Sequence, residues 1–148
     1  MAADSIVLMW ATAISTHAQS GRKIIFRFAK ELNPAFDRAS QPIRIIIVWK
    51  YESATGMPAT EERERMELLE DALEPLLEHD GFATLALVST GENLREWTYY
   101  AKSEQGFAAR FDYAITEMPE LRIEIHSTND PDWDMYEQFK AGVKEVVN

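Results

Sequence analysis

Along Ile43–Tyr51, Ile43, Ile45, Ile47 and Trp49 fall on one side of an extended chain, and Arg44, Ile46, Val48 and Lys50 on the other. Apolar residues on both sides predict a central strand. The same period of two predicts half-buried strands over Lys23–Ala29, with Ile24, Phe26 and Phe28 opposite Lys23 and Arg27, and over Leu121–Ser127, with Leu121, Ile123 and Ile125 opposite Arg122, Glu124 and His126. Ile6–Ser15 is rich in strand-forming residues and joins Lys23–Ala29 through the polar stretch Thr16–Arg22 as a hairpin. Ala83–Thr90 and Leu94–Lys102 make a second hairpin around Gly91–Asn93.

Elsewhere the spacing turns helical. After the loop Glu52–Ala59, Thr60 is placed to cap a helix over residues 60–79, with Glu61, Glu62 and Glu64 at its positive end and Met66, Leu69, Leu73 and Leu76 as its apolar stripe. Pro75 should bend it or end it early, and Gly81 supplies a stop. Ser103 caps a second helix over 103–118 bearing Phe107, Phe111, Ala114, Ile115 and Met118, closed by Pro119. Asp130, with Pro131 at the first helical position, opens a last helix whose stripe is Trp133, Tyr136, Phe139, Val143 and Val146.

From residue 43 to 127 the elements spell βαββαβ, the split βαβ arrangement. The expected fold is therefore α+β: a ferredoxin-like sandwich in a single domain spanning 1–148, with an N-terminal β-hairpin and connection over 1–42 and an added C-terminal helix over 130–148. At 148 residues one core is expected.

Charge narrows the partners. Residues 1–50 sum to +4 and residues 51–148 to −14, giving the net −10. Binding to a nucleic-acid backbone needs a positive surface, which only the N-terminal third offers, so nucleic acid is an unfavoured partner. The absence of cysteine excludes disulfides, iron–sulfur ligation and thiol nucleophiles, and suits a cytoplasmic setting. The apolar run Ile6–Ile14 resembles the core of a leader peptide, but Met1–Ser5 lacks the positive charge a leader carries, and no stretch reaches the ~20 apolar residues of a membrane span.

Catalytic groups do not converge in the sequence. His17, His79 and His126 lie on separate elements without metal spacing, and there is no nucleophile elbow, phosphate-binding Gly-rich loop or dinucleotide fingerprint. Asp130, Asp132 and Asp134 read as acids at a helix start, since Pro131 and Trp133 interrupt any calcium loop. No metal or cofactor is expected. The densest feature is Thr90–Tyr100, in which Arg95, Trp97 and Tyr99 alternate with Glu96, Thr98 and Tyr100. If the first set faces the helices, its aromatics join Trp49 in the core; if outward, they resemble the stacking platform of the RNA-recognition fold. Alternation alone leaves that choice open.

These stretches carry a resemblance. Gly56-Met57-Pro58, the L-E-D-A-L of Leu69–Leu73, the T-G-E-N-L-R-E-W-T-Y-Y of Thr90–Tyr100 and the D-P-D-W-D-M-Y of Asp130–Tyr136, with Trp10 fitting less closely, are similar to a bacterial family known as domain of unknown function 695. The resemblance singles out Arg95, Glu96, Trp97, Asp130, Trp133 and Tyr136 and supports a bacterial cytosolic setting. It brings no activity or catalytic residue. In scale, acidity and expected fold the chain also looks distantly like the regulator of ribonuclease E inhibitor B family.

The functional expectation is a non-catalytic protein-interaction or regulatory module. Its partner, another protein or a second copy joined through a sheet edge or face, would meet an open sheet face carrying Arg44, Lys50, Glu96, Tyr100, Arg122 and His126. Ile46 and Val48 add apolar area between those charges. The alternatives are an enzyme acting on a small molecule, with Arg95 anchoring an anion and Glu96 or His126 as acid or base, and a regulator of RNA metabolism.

Overall fold

Ile45, Ile47 and Trp49 are no more than 2% exposed, while Ile46 and Val48, pointing the other way, are half-buried. That contrast orients the whole sheet. The computed structural model describes residues 5–118 and 121–144. The strands are β1 (Val7–Thr16), β2 (Lys23–Leu32), β3 (Ile43–Lys50), β4 (Ala83–Gly91), β5 (Leu94–Ala101) and β6 (Ile123–Asn129); the helices are α1 (Thr60–Leu77), α2 (Glu104–Ala114) and α3 (Asp134–Gly142). All six strands form one sheet in the order β1-β2-β4-β5-β3-β6, each antiparallel to its neighbours. The fold is α+β.

One face of the sheet is sealed by α1 and α2. Met66, Leu69, Leu73 and Leu77 from α1 and Phe107 and Phe111 from α2 pack on Ile45, Ile47, Trp49, Leu85, Val88, Trp97 and Tyr99. Trp97 and Tyr99 are thus core residues, on the helix-facing side. Leu77, rather than Leu76, completes the α1 stripe, because steps of three and four residues lead from Met66 through Leu69 and Leu73 to position 77. Ala59, not Thr60, occupies the α1 cap position, and no side chain caps there. Pro75 lies inside α1 near its end, and the helix runs on to Leu77. Ser103 caps α2 as expected, its hydroxyl accepting from the Gly106 N–H at 3.0 Å. Helix α2 ends at Ala114, short of the expected 118, and Pro119 lies outside the described residues.

The second face is closed by α3 and the connection after β2, but only over half its width. Phe139 packs its ring 5.0 Å from Phe26 and 5.4 Å from Phe28, beside Ala11, Ala13 and Leu87. Trp133, Tyr136 and Phe36 cover Ala29, Ala86 and Tyr100. Asp130 does not begin α3: residues 130–133 form a turn, Trp133 has φ 58°, and the helix starts at Asp134. Val146 lies outside the described residues. The two coverings are offset. Helices α1 and α2 draw no core residue from β1 or β2, and α3 draws none from β3 or β6.

Candidate functional site

Register shows how far α3 reaches. On its side of the sheet, Thr128, Arg44, Tyr100 and Thr84 form one cross-strand row; His126, Ile46, Thr98 and Leu87 form the next; Glu124, Val48, Glu96 and Ser89 the third. Opposite residues in antiparallel strands share a face. Each row therefore runs from open β6 and β3 to covered β4.

The boundary is a latch built on Asp130. Its Oδ2 accepts from the Tyr100 hydroxyl at 2.8 Å and from Arg44 Nη1 at 3.1 Å, and its Oδ1 accepts from the Asp134 N–H at 2.9 Å. Above it the Trp133 indole stacks on the Tyr100 ring, and its Nε1–H donates to the Gln41 carbonyl at 3.0 Å. Arg38 stands 5.8 Å over Trp133 and pairs with Glu137 at 2.6 Å. Burial pushes the Asp130 carboxyl upward, but the donors Tyr100, Asp134 and Met135 and the Arg44 charge outweigh it and hold it below its ordinary value. Burial first, and the bond to Asp130 second, raise the Tyr100 hydroxyl.

This corrects part of the expected partner surface. Tyr100 is fully buried beneath Trp133, so it belongs to no open face. Arg44 is committed to Asp130, with its side chain 23% exposed. What stays open is the β3–β6 half: Ile46 and Val48, half-buried, with Lys50, Glu124 and His126 exposed and Glu96 beside Val48. Lys50 bonds Glu124 at 2.8 Å, and His126 lies 3.3 Å from the same carboxylate. The Lys50 bond, then that of His126, lowers the Glu124 carboxyl. Arg122 is exposed just before β6.

Arg95 lies on the opposite face from Glu96 and His126. Its Nε donates to Thr90 Oγ1 at 2.9 Å, and its guanidinium stands 5.8 Å over the Trp97 ring. The sheet separates it from the two groups suggested as acid or base, so these three residues do not share a pocket.

The sequence motifs meet one another instead. Trp97 Nε1 donates to Glu70 Oε1 at 2.9 Å, tying Leu94–Tyr100 to Leu69–Leu73, and Arg27 joins the same oxygen at 2.6 Å. The Tyr51 hydroxyl donates to the Gly56 carbonyl at 2.6 Å, and Gly56 accepts from the Asn93 N–H of the β4–β5 turn at 3.0 Å. Tyr100 and Trp133 make the third pairing.

Between α1 and the uncovered side of β1 and β2 runs a cleft of about 590 Å³, lined among others by Trp10, Arg27, Glu70, Glu74, Glu78 and His79. Sequence reasoning missed it. Arg27, a cation in the middle of β2 between Phe26 and Phe28, was the available signal. Burial raises the Glu78 carboxyl, opposed by the Leu85 N–H it accepts and reinforced by Glu74 and Glu70. No group of three His, Cys, Asp or Glu among the described residues is arranged to hold a metal ion, and no helix among them is long and apolar enough to cross a membrane.

Compared with known proteins, residues 9–140 match the profile of a family described as "Family of unknown function (DUF695)". No curated protein matches the chain.

Proposed function

Since the chain belongs to the DUF695 family, whose function is unknown, we propose from its geometry that it is a non-catalytic module which binds another protein through the β3–β6 half of the sheet. One observation carries this reading: α3 covers β1, β2, β4 and the end of β5, yet leaves Ile46 and Val48 half-buried inside a charged rim. An apolar centre with a polar rim is the anatomy of a protein interface. The rim is mixed, with Lys50, Arg122 and His126 beside Glu96 and Glu124, so the partner would present both signs around an apolar strip. A cytoplasmic setting suits a chain without cysteine.

The order β6-β3-β5-β4, with β2 and β1 extending it, supports a ferredoxin-like βαββαβ core whose N-terminal hairpin widens the sheet. The added strands and α3 together leave the partner face restricted to one half.

The test is a charge substitution in that half. Val48→Glu should cut capture of the partner bound by the wild type by about tenfold or more, with the far-ultraviolet circular dichroism unchanged. Unaltered capture by a folded Val48→Glu protein sinks the reading.

A further inference from the structure

The sheet has two edges of opposite character. Edge β6 exposes Glu124 and His126, the kind of charge that discourages edge pairing. Edge β1 runs ten residues, Val7–Thr16, with no charged residue and no proline, and pairs only with β2 among the described residues. Along it Leu8, Met9, Trp10 and Ile14 are 50%, 47%, 39% and 44% exposed. A long, apolar, uncharged edge presents unused backbone donors and acceptors.

We propose that two copies of this chain join β1 to β1, antiparallel about a two-fold axis, extending the six-stranded sheet of each into one continuous sheet. The occupant follows from charge. Each copy carries a net −10, with the excess of acid in residues 51–148, so two copies repel through that part, and β1, itself uncharged, is a strip without that penalty. Two of the neighbouring cations of the hairpin are engaged within their own copy, Arg27 with Glu70 at 2.6 Å and Arg22 with Glu92 at 3.5 Å. A two-fold pairing needs a surface complementary to itself, and an uncharged antiparallel strand is one.

Alternation sets the register. Trp10, Thr12 and Ile14 are exposed, while Ala11 and Ala13 are buried beneath α3. An axis at Thr12 brings Trp10 of each copy opposite Ile14 of the partner subunit, apolar against apolar. The two Thr12 residues then face each other. This pairing uses the edge opposite the proposed partner face and stands independently of it.

Sedimentation velocity at roughly 100 μM, a concentration that fills a dimer of micromolar affinity, tests the proposal. The wild type should sediment at twice the 17.0 kDa chain mass. Thr12→Lys and Thr12→Glu, both at an exposed position, should each sediment as single chains with unchanged circular dichroism, because like charges meet across the axis. Mixing the two variants should restore the dimer. Because the chain has no cysteine, Thr12→Cys should oxidise to one cross-linked dimer. A single-chain wild type, dimers that persist in both charge variants, or a mixture that stays single-chain would overturn the pairing. A foreign strand as the occupant would show as the first of these.

Discussion

The Tyr100 ring lies 4.1 Å from the Trp133 indole and within 9° of parallel to it, joining the end of β5 to the residue before α3. This stack decides which part of the sheet is closed. Tyr100 sits in the same cross-strand row as Arg44, and both reach Asp130, so ring stacking and a part-buried ion pair hold one corner.

Truncating that corner should loosen α3. Trp133→Ala removes a fully buried indole and should cost about 3–5 kcal/mol in denaturant unfolding. Tyr100→Phe keeps the stack but deprives Asp130 of a donor and should cost about 1–2 kcal/mol. Equal losses for the two substitutions would show that the hydroxyl, not the ring, carries the corner.

Asp130 ties stability to acid. A carboxyl held below its ordinary 3.8 in the folded chain contributes stability that is complete above that value and lost as pH falls through the lower folded one. Asp130→Asn should therefore cost about 1–2 kcal/mol at neutral pH, since the part-exposed Arg44 loses its counter-charge but keeps access to water. The gap between the variant and the wild type should close as pH falls below 3.8. A gap independent of pH would place the cost in packing instead.

Glu78 should behave in the opposite sense. Its carboxyl is raised above the ordinary 4.5, chiefly by burial, so the folded chain holds the proton more tightly than the unfolded one. Its unfavourable share is absent below 4.5 and grows as pH rises through the folded value. Glu78→Gln should thus gain stability relative to the wild type from acid to neutral pH, as read by thermal unfolding. A constant difference across that range would contradict the assignment.

Gly91 is needed for close approach. A Cβ there would lie 2.6 Å from the Lys23 carbonyl oxygen and 2.9 Å from Ile24 Cα, both on the neighbouring β2 backbone. Gly91→Ala should part β4 from β2 and cost about 1–3 kcal/mol. An unchanged unfolding midpoint would mean that β2 shifts freely.

Much of the fold is legible in the alternation of β3 and in the stripes of α1 and α2, because each of those elements has distinct buried and exposed sides. Strand β6 alternates in sequence but lies at the sheet edge with Ile125 itself 43% exposed, so its expected half-burial does not hold. Strand β5 is less readable for a physical reason. Trp97 and Tyr99 are buried under the helices while Thr98 and Tyr100 are buried on the α3 side, so neither parity marks solvent. Tyr100 reads as exposed from sequence because its cover arrives thirty residues later, with Asp130 and the turn that follows. That turn holds Trp133 at φ 58°, a conformation its residue type does not announce. The cleft beside α1 is hidden for a similar reason: it depends on how far two coverings are offset, which no local pattern encodes.

The central claim is that a protein partner docks on the β3–β6 half of the sheet. A photoreactive residue in place of Val48, half-buried there, compared with one in place of Leu68, 61% exposed on α1, tests it most directly in cells of the source organism. A single dominant cross-linked adduct at position 48 that is missing at position 68 is the predicted result. The same adducts at both positions, or none at 48, would contradict it.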